Sequence, residues 1–342
     1  MRTIILEEPG RFVRADTPEP TSVAPGHALV RIQRVGVCGT DLHAFRGRQP
    51  YFVYPRILGH ELGVEVLEVA DDDGDHDNTV RPGDRCAVEP YMNCGECDAC
   101  HRGRGNCCER MQVLGVHIDG GMREVIAVPT RKLHASSRLS LDQLALIETL
   151  GIGAHAVDRG AVAADDTVLV IGAGPIGLGV IQFAHLTGAQ VVVLELDSDR
   201  REFCQAQFGV EHCIGGGDDP VTAIRDVLRG RLPTVVFDAT GSPASMMNSF
   251  QFAAHGGRIV FVGIVLGNIE YDSPHFHGRE ITLLATRNAL PKDFTRIIQL
   301  MEAGQIDTGP WITHRAVYDD FAEQFPDWLD PARGVVKALL TM

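Results

Sequence analysis

One stretch of the chain, DDTVLVIGAGPIGLGVIQFAHLTGA (residues 165–189), restricts the possible fold more than any other. A short apolar run enters a glycine cluster, and a helical pattern follows, with Pro175 in its first turn and Gly188 near its end. QVVVLELD then predicts a second strand and DRREFCQAQFG a second helix. Further apolar runs follow in TVVFDATG, GGRIVFVG and EITLLAT. Strands that alternate with helices predict an α/β fold with a doubly wound parallel sheet, covered by helices on both faces.

The glycine cluster has the spacing of a dinucleotide-binding loop. Gly172, Gly174 and Gly177 form the pattern G-x-G-x-x-G between a predicted strand and a predicted helix, which is the context that gives the pattern meaning. These glycines permit a tight turn and let a pyrophosphate approach the helix N–H groups. Eighteen residues after Gly177, Glu195 ends the second strand, where a carboxylate binds a ribose 2′-OH and repels the 2′-phosphate of NADP. We therefore predict NAD as the cofactor.

The first ~150 residues have a different sequence pattern, with short apolar runs and no alternating helical segments. The runs ALVRIQRVGV, LGVEVLEVA, DRCAVEP and REVIAVP are separated by turn residues and predict strands of an antiparallel, barrel-like domain. The C-terminal part begins with the helical stretch NALPKDFTRIIQLMEAG and ends in GVVKALLTM, a strand predicted to return to the first domain. We therefore expect two domains, residues 1–153 with 289–342 and residues 154–288.

Five of the nine cysteines lie within NCGECDACHRGRGNCC, residues 93–108. Cys94, Cys97, Cys100 and Cys108 follow the spacing C-x2-C-x2-C-x7-C, and tight C-x2-C turns bring neighbouring sulfurs to one ion. Four thiolates suit tetrahedral zinc and leave no open position, so this site is predicted to be structural. An iron–sulfur cluster takes similar ligands, but nothing else in the sequence indicates redox chemistry. Cys107 is expected to point away from the metal.

A second set of metal-binding residue types lies nearer the N-terminus. The stretch GVCGTDLHAFRG (residues 36–47) carries Cys38, Thr40, Asp41 and His43, and LGHE supplies His60 and Glu61. A thiolate, an imidazole and a carboxylate, with a fourth position open for water or substrate, form the pattern of catalytic zinc. Thr40 and His43 are residue types that can move protons. Any one of these residues alone is more often a packing or surface residue, so the prediction rests on their combination.

Composition excludes several other classes of protein. The net charge of −14 disfavours a nucleic-acid partner, which usually needs a basic face. No apolar run is long enough for a spanning helix, and MRTIILEEPGRF lacks the apolar core of a signal peptide. We therefore expect a cytoplasmic protein, in which reducing conditions leave thiols available to metals. The acidic run DDDGDHD (Asp71 to Asp77) is expected to be a solvated loop, without the ligand spacing of a calcium site.

The chain resembles the zinc-dependent medium-chain alcohol dehydrogenases in features that follow one another along nearly its full length: GVCGTDLH, GHE, the four-cysteine segment, GAGPIG and the acid after the second cofactor strand. Within that family it is most similar to the sorbitol and threonine dehydrogenase branch, and there to bacterial L-galactonate 5-dehydrogenase-like enzymes. GNCCERMQVLGVHIDGG, AHGGRIVFVG, EITLLATRNALPKDF and WITHR carry the narrower likeness. The resemblance implies a GroES-like β-rich catalytic domain, a Rossmann NAD-binding domain and an active site in the cleft between them. It also implies a homo-oligomer, with a tetramer favoured over a dimer.

The resemblance implies roles for the metal-binding residues as well. Cys38 and His60 become ligands of a catalytic zinc, so that the chain binds two zinc ions in all. Glu61 is the implied third ligand, while Glu148, in ALIETLGIGAHAV, matches an acid that binds or approaches this zinc. Which acid coordinates in the resting state stays open, because Thr149 stands where the family usually has proline.

The resemblance places the cofactor at the glycine loop and at the ends of later strands. The implied cofactor contacts are Gly172, Gly174, Pro175, Ile176, Gly177, Glu195, Arg200, Val262, Gly263, Ile264, Thr286 and Arg287. Arg200 is implied near the adenosine end, Val262 to Ile264 near the nicotinamide ribose, and Thr286 and Arg287 near the nicotinamide and the substrate. The residues expected to contact the substrate are Tyr51, His117, Glu148 and Arg287.

These assignments predict an NAD-dependent oxidation of a secondary hydroxyl, in which Thr40 accepts the alcohol proton and His43 passes it to solvent. The guanidinium of Arg287 can pair with a carboxylate, which favours a small sugar acid such as an aldonate over a neutral polyol or sugar. The alternatives are a threonine-type or other secondary-alcohol dehydrogenase and, more distantly, a non-catalytic NAD-binding regulatory protein. No nucleic-acid or membrane partner is expected.

Overall fold

The computed structural model describes residues 1–49, 51–70 and 80–342, so the acidic run predicted to be a solvated loop lies outside the described residues. The chain forms two compact units, residues 1–149 with 290–342 and residues 150–289. Among the helices in the described ranges, none is both long and apolar enough to cross a membrane.

The strands, in chain order, are β1 (Arg2–Glu8), β2 (Arg11–Asp16), β3 (His27–Val37), β4 (Glu61–Val69), β5 (Arg85–Val88), β6 (Tyr91–Met92), β7 (Gln112–Val113), β8 (Val125–Pro129), β9 (Leu133–Ala135), β10 (Thr167–Ile171), β11 (Gln190–Leu194), β12 (His212–Ile214), β13 (Val235–Asp238), β14 (Arg258–Phe261), β15 (Thr282–Ala285), β16 (Ile312–Val317) and β17 (Lys337–Thr341).

The α-helices are α1 (Gly39–Phe45), α2 (Asp98–His101), α3 (Leu141–Ala145), α4 (Ile147–Arg159), α5 (Pro175–Leu186), α6 (Ser198–Phe208), α7 (Pro220–Val227), α8 (Pro243–Phe252), α9 (Ser273–Gly278), α10 (Pro291–Glu302) and α11 (Phe321–Gln324). Short 3-10 turns lie at Gly105–Cys107, Thr130–Lys132, Gly309–Trp311, Phe325–Leu329 and Pro331–Arg333.

The unit of residues 1–149 and 290–342 is built on a mostly antiparallel sheet in the order β16-β17-β3-β4-β5-β9, and β8 also pairs with β3. Strand β3 is long enough to pair with two strands along the same side, because its first half pairs with β8 and its last residues pair with β17. Val30 and Ile32 follow the alternation of β3, and a register shift between Ile32 and Arg34 allows Val35 to join them in one apolar core with Phe321 and Phe325. Each such buried side chain contributes about 1.5–3 kcal/mol of transfer free energy. The predicted β-rich domain and its returning C-terminal strand are confirmed.

The unit of residues 150–289 is a parallel six-stranded sheet in the order β12-β11-β10-β13-β14-β15. Val168, Leu169 and Val170 in the central strand β10 are fully buried, as expected for a strand with helices on both faces. Strand order reverses between β10 and β13, and such a switch point is where open α/β sheets bind ligands, beyond the carboxyl ends of the strands. The predicted doubly wound parallel sheet is confirmed.

Candidate functional site

One end of the first unit's sheet brings several buried polar groups together. Strand β3 ends just before Cys38, its antiparallel neighbour β4 begins just after His60, and β17 begins at Lys337. Antiparallel pairing puts these strand ends side by side. Ligand atoms of Cys38, His60 and Glu61 lie within 4.8 Å of one another, so residues distant in sequence form one possible metal site.

Helix α1 begins directly after Cys38 and carries an acid, Asp41, that accepts a hydrogen bond from the Cys38 backbone and faces the His60 ring. One carboxylate oxygen of Asp41 accepts the Cys38 backbone N–H at 2.9 Å. The other lies 3.8 Å from His60 Nδ1, and both atoms are buried without a hydrogen-bond partner among the described residues. A carboxylate that faces one imidazole nitrogen commonly leaves the other nitrogen to a metal. Asp41 had no role in the sequence analysis, although it lies inside the motif.

The electrostatics of this group favour a bound cation. Burial lowers the pKa of His60, but the negative charges of Cys38 and Asp41 outweigh burial and raise it well above its ordinary value. Burial also raises the pKa of Asp41, which indicates that its negative charge lacks full compensation. A half-buried thiol with a buried imidazole and a buried carboxylate, which together attract positive charge, fits a zinc ion with an open fourth position.

Glu61 is held by a buried lysine that the sequence analysis missed. Lys337 Nζ donates to Glu61 Oε1 at 2.7 Å, to Oε2 at 2.8 Å and to the Val37 carbonyl at 3.2 Å. Across the sheet Gly36 leaves space for the acid, since a Cβ there would lie 2.1 Å from Glu61 Oε2. Coordination of a metal by Glu61 therefore competes with this ion pair. A lysine inside the apolar run GVVKALLTM was the available signal, because a buried lysine needs a partner.

Glu148 is the second acid of the site and lies in the first turn of α4. Its Oε1 accepts a 2.5 Å hydrogen bond from the hydroxyl of Tyr91, which is also buried. Burial raises the pKa of Glu148, and the Glu148 charge contributes to the raised pKa of His60. Burial also raises the pKa of Tyr91, so the phenol stays a donor. Tyr91 was not identified from sequence, because the contact joins segments 57 residues apart.

The residues predicted to move protons share helix α1. Thr40 and His43 are three residues apart, so they lie on one side of the helix. Thr40 is half-buried and His43 is exposed. Partial burial, followed by the charges of Arg46 and Arg48, lowers the pKa of His43, which keeps its imidazole neutral and able to accept a proton at pH 7.

Two of the predicted substrate residues also meet in this unit. The rings of Tyr51 and His117 lie 5.8 Å apart between centroids. His117 Nδ1 accepts the Val113 backbone N–H at 3.1 Å, so the neutral ring carries its proton on Nε2. The pair offers an aromatic face and an N–H donor, both of which suit a hydroxylated ligand.

The four predicted structural ligands form a second compact group. The sulfur–sulfur distances are 4.0 Å for Cys94 and Cys100, 4.0 Å for Cys97 and Cys108, and 3.4 Å for Cys94 and Cys108. A tetrahedral zinc ion with four thiolates separates its sulfurs by about 3.8 Å. Cys107 is exposed and is not part of the group. The spacing and the donor set both fit zinc.

The backbone around this lobe stabilises the thiolate of Cys94, whereas burial raises the pKa of Cys108 to about 11 in the absence of a cation. The N–H groups of Glu96 and Cys97 point at the sulfur of Cys94 and lower its pKa to about 6. The path depends on Gly95 and Gly103, which have φ of +79° and +70° and so adopt a conformation that other residues rarely take.

In the second unit the glycine loop joins β10 to α5 as predicted. Gly172 has φ of +90°, and a Cβ on Gly177 would lie 1.9 Å from the Gly172 carbonyl oxygen, so neither position accepts a side chain. Gly174 is the N-cap of α5 and Pro175 takes the first helical position, followed by Ile176. The free N–H groups at this helix start provide an anion site for a pyrophosphate.

Glu195, directly after β11, is tied to that loop. Its carboxylate accepts the N–H of Ala173 at 2.6 Å and of Asp197 at 2.9 Å. Arg201 donates to the carbonyls of Glu195 and Leu196, so it is occupied by the backbone. Arg200 lies at the loop, because its Nη1 is 3.8 Å from the point that a Cβ atom on Gly174 would occupy.

The remaining predicted cofactor residues follow the carboxyl ends of β14 and β15. Val262 and Gly263 donate their N–H groups to the Asp238 carbonyl, and Ile264 is exposed. Thr286 donates its N–H to the Phe261 carbonyl at 3.1 Å, and Arg287 after it is exposed. Parallel pairing therefore gathers the glycine loop, Glu195 and these residues along one edge of the sheet.

Two protein families match the chain. Residues 24–138 match the family described as "Alcohol dehydrogenase GroES-like domain", and residues 175–303 match "Zinc-binding dehydrogenase". The matched ranges contain Cys38, His60, the four-cysteine lobe and Glu195.

Individual relatives cover the chain almost completely. L-galactonate-5-dehydrogenase of Escherichia coli K12 is 38% identical over 100% of this chain and 99% of that protein. 2-Dehydro-3-deoxy-L-galactonate 5-dehydrogenase of Pseudoalteromonas atlantica is 32% identical over 94% of each. Among solved structures, an alcohol dehydrogenase (RspB) from Escherichia coli CFT073 complexed with NADH has a TM-score of 0.90 and 29% identity, covering 100% of this chain and 99% of that one.

Proposed function

Because the chain belongs to the zinc-dependent medium-chain alcohol dehydrogenases and is an NAD-dependent oxidoreductase of that type, we propose that it oxidises a secondary hydroxyl of a sugar acid, with an L-galactonate-like aldonate preferred. The observation that carries the proposal is the close group of Cys38, His60 and Glu61, with Thr40 and His43 on the helix that follows Cys38. The resemblance to a sugar-acid dehydrogenase over the full chain supports the substrate class.

When bound, zinc supplies a Lewis acid that lowers the pKa of a substrate hydroxyl, and NAD supplies the hydride acceptor. Cys38 and His60 would hold the metal, with Asp41 Oδ1 facing His60 Nδ1 at 3.8 Å. Glu61 would be the third ligand in competition with its ion pair to Lys337, whereas Glu148, held by Tyr91, lies close enough to act on His60.

The protein's own groups handle the released proton. Thr40 accepts the proton of the substrate hydroxyl and passes its own to His43. The lowered pKa of His43 suits this role, because a neutral imidazole accepts a proton and its exposed ring returns it to solvent. Oxidation thus yields a ketone, one hydride on the cofactor and one proton in solution.

The candidate substrate contacts are assigned residue by residue from their chemistry. We assign hydroxyl contacts to Tyr51 and His117 and a carboxylate contact to Arg287, whose guanidinium matches a carboxylate bidentately. Glu195 makes NAD the preferred dinucleotide, because its carboxylate repels a 2′-phosphate.

The test is a substrate panel followed by NADH absorbance, with zinc present and after chelation. The panel contains L-galactonate, other aldonates, neutral polyols, free sugars and threonine. We expect chelator-sensitive activity with aldonates to exceed that with the matching neutral polyols. Arg287→Gln should raise KM for the aldonate at least ten-fold while leaving KM for a neutral polyol nearly unchanged. The same change at the exposed Arg138 is the matched control.

Activity confined to neutral polyols, free sugars or threonine would refute the sugar-acid assignment and the role of Arg287. Such a result would leave the zinc and NAD chemistry in place. A homotetramer, implied by the same resemblance, is also part of the proposal, and sedimentation velocity of the purified protein tests it.

A further inference from the structure

A set of hydrogen-bonded side chains starts at the buried Lys132 and Glu89 and leads through the half-buried Asn93 to the four-cysteine lobe. Lys132 Nζ donates to the carboxylate of Glu89 and, at 2.9 Å, to Asn93 Oδ1. Lys132 and Glu89 have only 4% and 2% of their side chains exposed. At the far end Asn93 Nδ2 lies 3.7 Å from Cys100 Sγ, one of the four zinc-ligand sulfurs.

The hydrogen-bond donors and acceptors among these side chains can be assigned in only one way. An ammonium group only donates hydrogen bonds, so the side-chain oxygen of Asn93 must face Lys132. The amide nitrogen must then face Cys100, whose metal-bound thiolate only accepts. Lys132 therefore fixes the amide orientation that a free asparagine would leave undetermined.

The lysine is itself fixed from the other side. Glu89 accepts from Lys132 with one oxygen, and its second oxygen lies 3.4 Å from His134 Nε2. The His134 ring stacks on Phe294 with centroids 4.9 Å apart. The side-chain amide of Asn93 is thus held through Lys132 and Glu89 by groups packed in the core of the unit. A surface asparagine would lack such support.

We propose that Asn93, oriented by the Lys132–Glu89 pair, is an outer-shell donor to the Cys100 thiolate and governs how tightly the four-cysteine lobe retains zinc. Four thiolates and one divalent ion leave an excess negative charge, and an N–H donor directed at a sulfur stabilises that charge. Outer-shell partners of this kind typically change metal affinity by 10–100-fold. Asn93 is a positioning residue for the ligand, and its role lies outside the dehydrogenase reaction.

The first experiment uses the full-length protein loaded with zinc and the variant Asn93→Asp, which keeps the side-chain shape but turns the donor into an acceptor. Zinc release to a colorimetric chelator is followed over time. To assign the released ion, the measurement is repeated in a Cys38→Ala background, where the lobe holds the remaining zinc. Asn248→Asp, on the exposed face of α8, is the matched control.

We expect Asn93→Asp to release the lobe zinc at least ten-fold faster in both backgrounds, while Asn248→Asp behaves as the parent protein. In cobalt-substituted protein, the thiolate-to-metal absorption band should shift in Asn93→Asp and stay unchanged in the control. Release rates within two-fold of the parent together with an unshifted cobalt band would overturn the proposal. A variant that fails to bind a first equivalent of zinc is replaced by Asn93→Ser, judged by the same two criteria.

The role of the lysine is tested by a double-mutant cycle. Lys132→Met is combined with Glu89→Gln, so that no buried carboxylate is left unpaired. If Lys132 acts through Asn93, this pair of changes speeds zinc release in the parent but adds less than two-fold in an Asn93→Ala background. Independent, additive effects in the two backgrounds would show that Lys132 does not act by orienting the amide.

Discussion

The buried ion pair between Lys337 and Glu61 gives the sharpest stability prediction. Each side chain is only 1% exposed, and the ammonium donates to both carboxylate oxygens at 2.7 and 2.8 Å. Burial lowers the pKa of Lys337, but the negative charges of Glu61 and Cys38 together with the Glu61 hydrogen bonds raise it above its ordinary value, while Lys337 and His60 lower the pKa of Glu61 against the effect of burial. Both groups are therefore charged in the folded protein at neutral pH.

Lys337→Met keeps the apolar part of the side chain, removes the ammonium group and leaves the carboxylate buried without its partner. Breaking a buried pair in this way costs about 3–5 kcal/mol. For a domain of this size the cost corresponds to a loss of about 6–20 °C in Tm. Urea titration and thermal unfolding, both in the presence of a chelator, measure the change.

Two comparisons isolate the cause. Lys337→Met with Glu61→Gln should recover at least half of the lost stability, because the charge is gone. Arg110→Met breaks the ion pair with Glu96, whose members are 62% and 76% exposed, and should change the unfolding free energy by less than about 1 kcal/mol. A Lys337→Met protein within 1 kcal/mol of the parent would refute the reasoning.

Three further predictions concern the site and the cofactor. Tyr91→Phe removes the hydrogen bond to buried Glu148 and should lower the free energy of unfolding by about 1.5–3 kcal/mol in urea titrations; an unchanged value contradicts the contact. Arg48→Gln removes a positive charge that lowers the pKa of His43, so the pKa rises and the acidic limb of the kcat–pH profile should move to higher pH; a limb that stays or moves down excludes His43 from proton transfer. Glu195→Ser should raise kcat/KM with NADP relative to NAD at least ten-fold, and an unchanged ratio would assign the preference elsewhere.

Local sequence patterns determined a large part of this protein. An apolar run followed by a glycine cluster and a helix start is compatible with few backbone structures. Strand β10, the loop at Gly172 and helix α5 were therefore predictable from a few residues. The four-cysteine lobe was predictable for the same reason, because its ligands lie within fifteen residues and the turns between them are local. The strands β3, β4 and β8 followed from alternation and turn residues.

Contacts between distant segments were decided only by the tertiary structure. Lys337 and Glu61 are 276 residues apart, and their meeting depends on β17 pairing with the last residues of β3. Tyr91 reaches Glu148, and Lys132 reaches Asn93, because separate elements pack against one another. Local propensity acts over a few residues, whereas the partner of a buried charge is selected by the whole arrangement of strands. The sequence therefore identified the chemical groups of the site, but it did not identify the residues that hold each group in place.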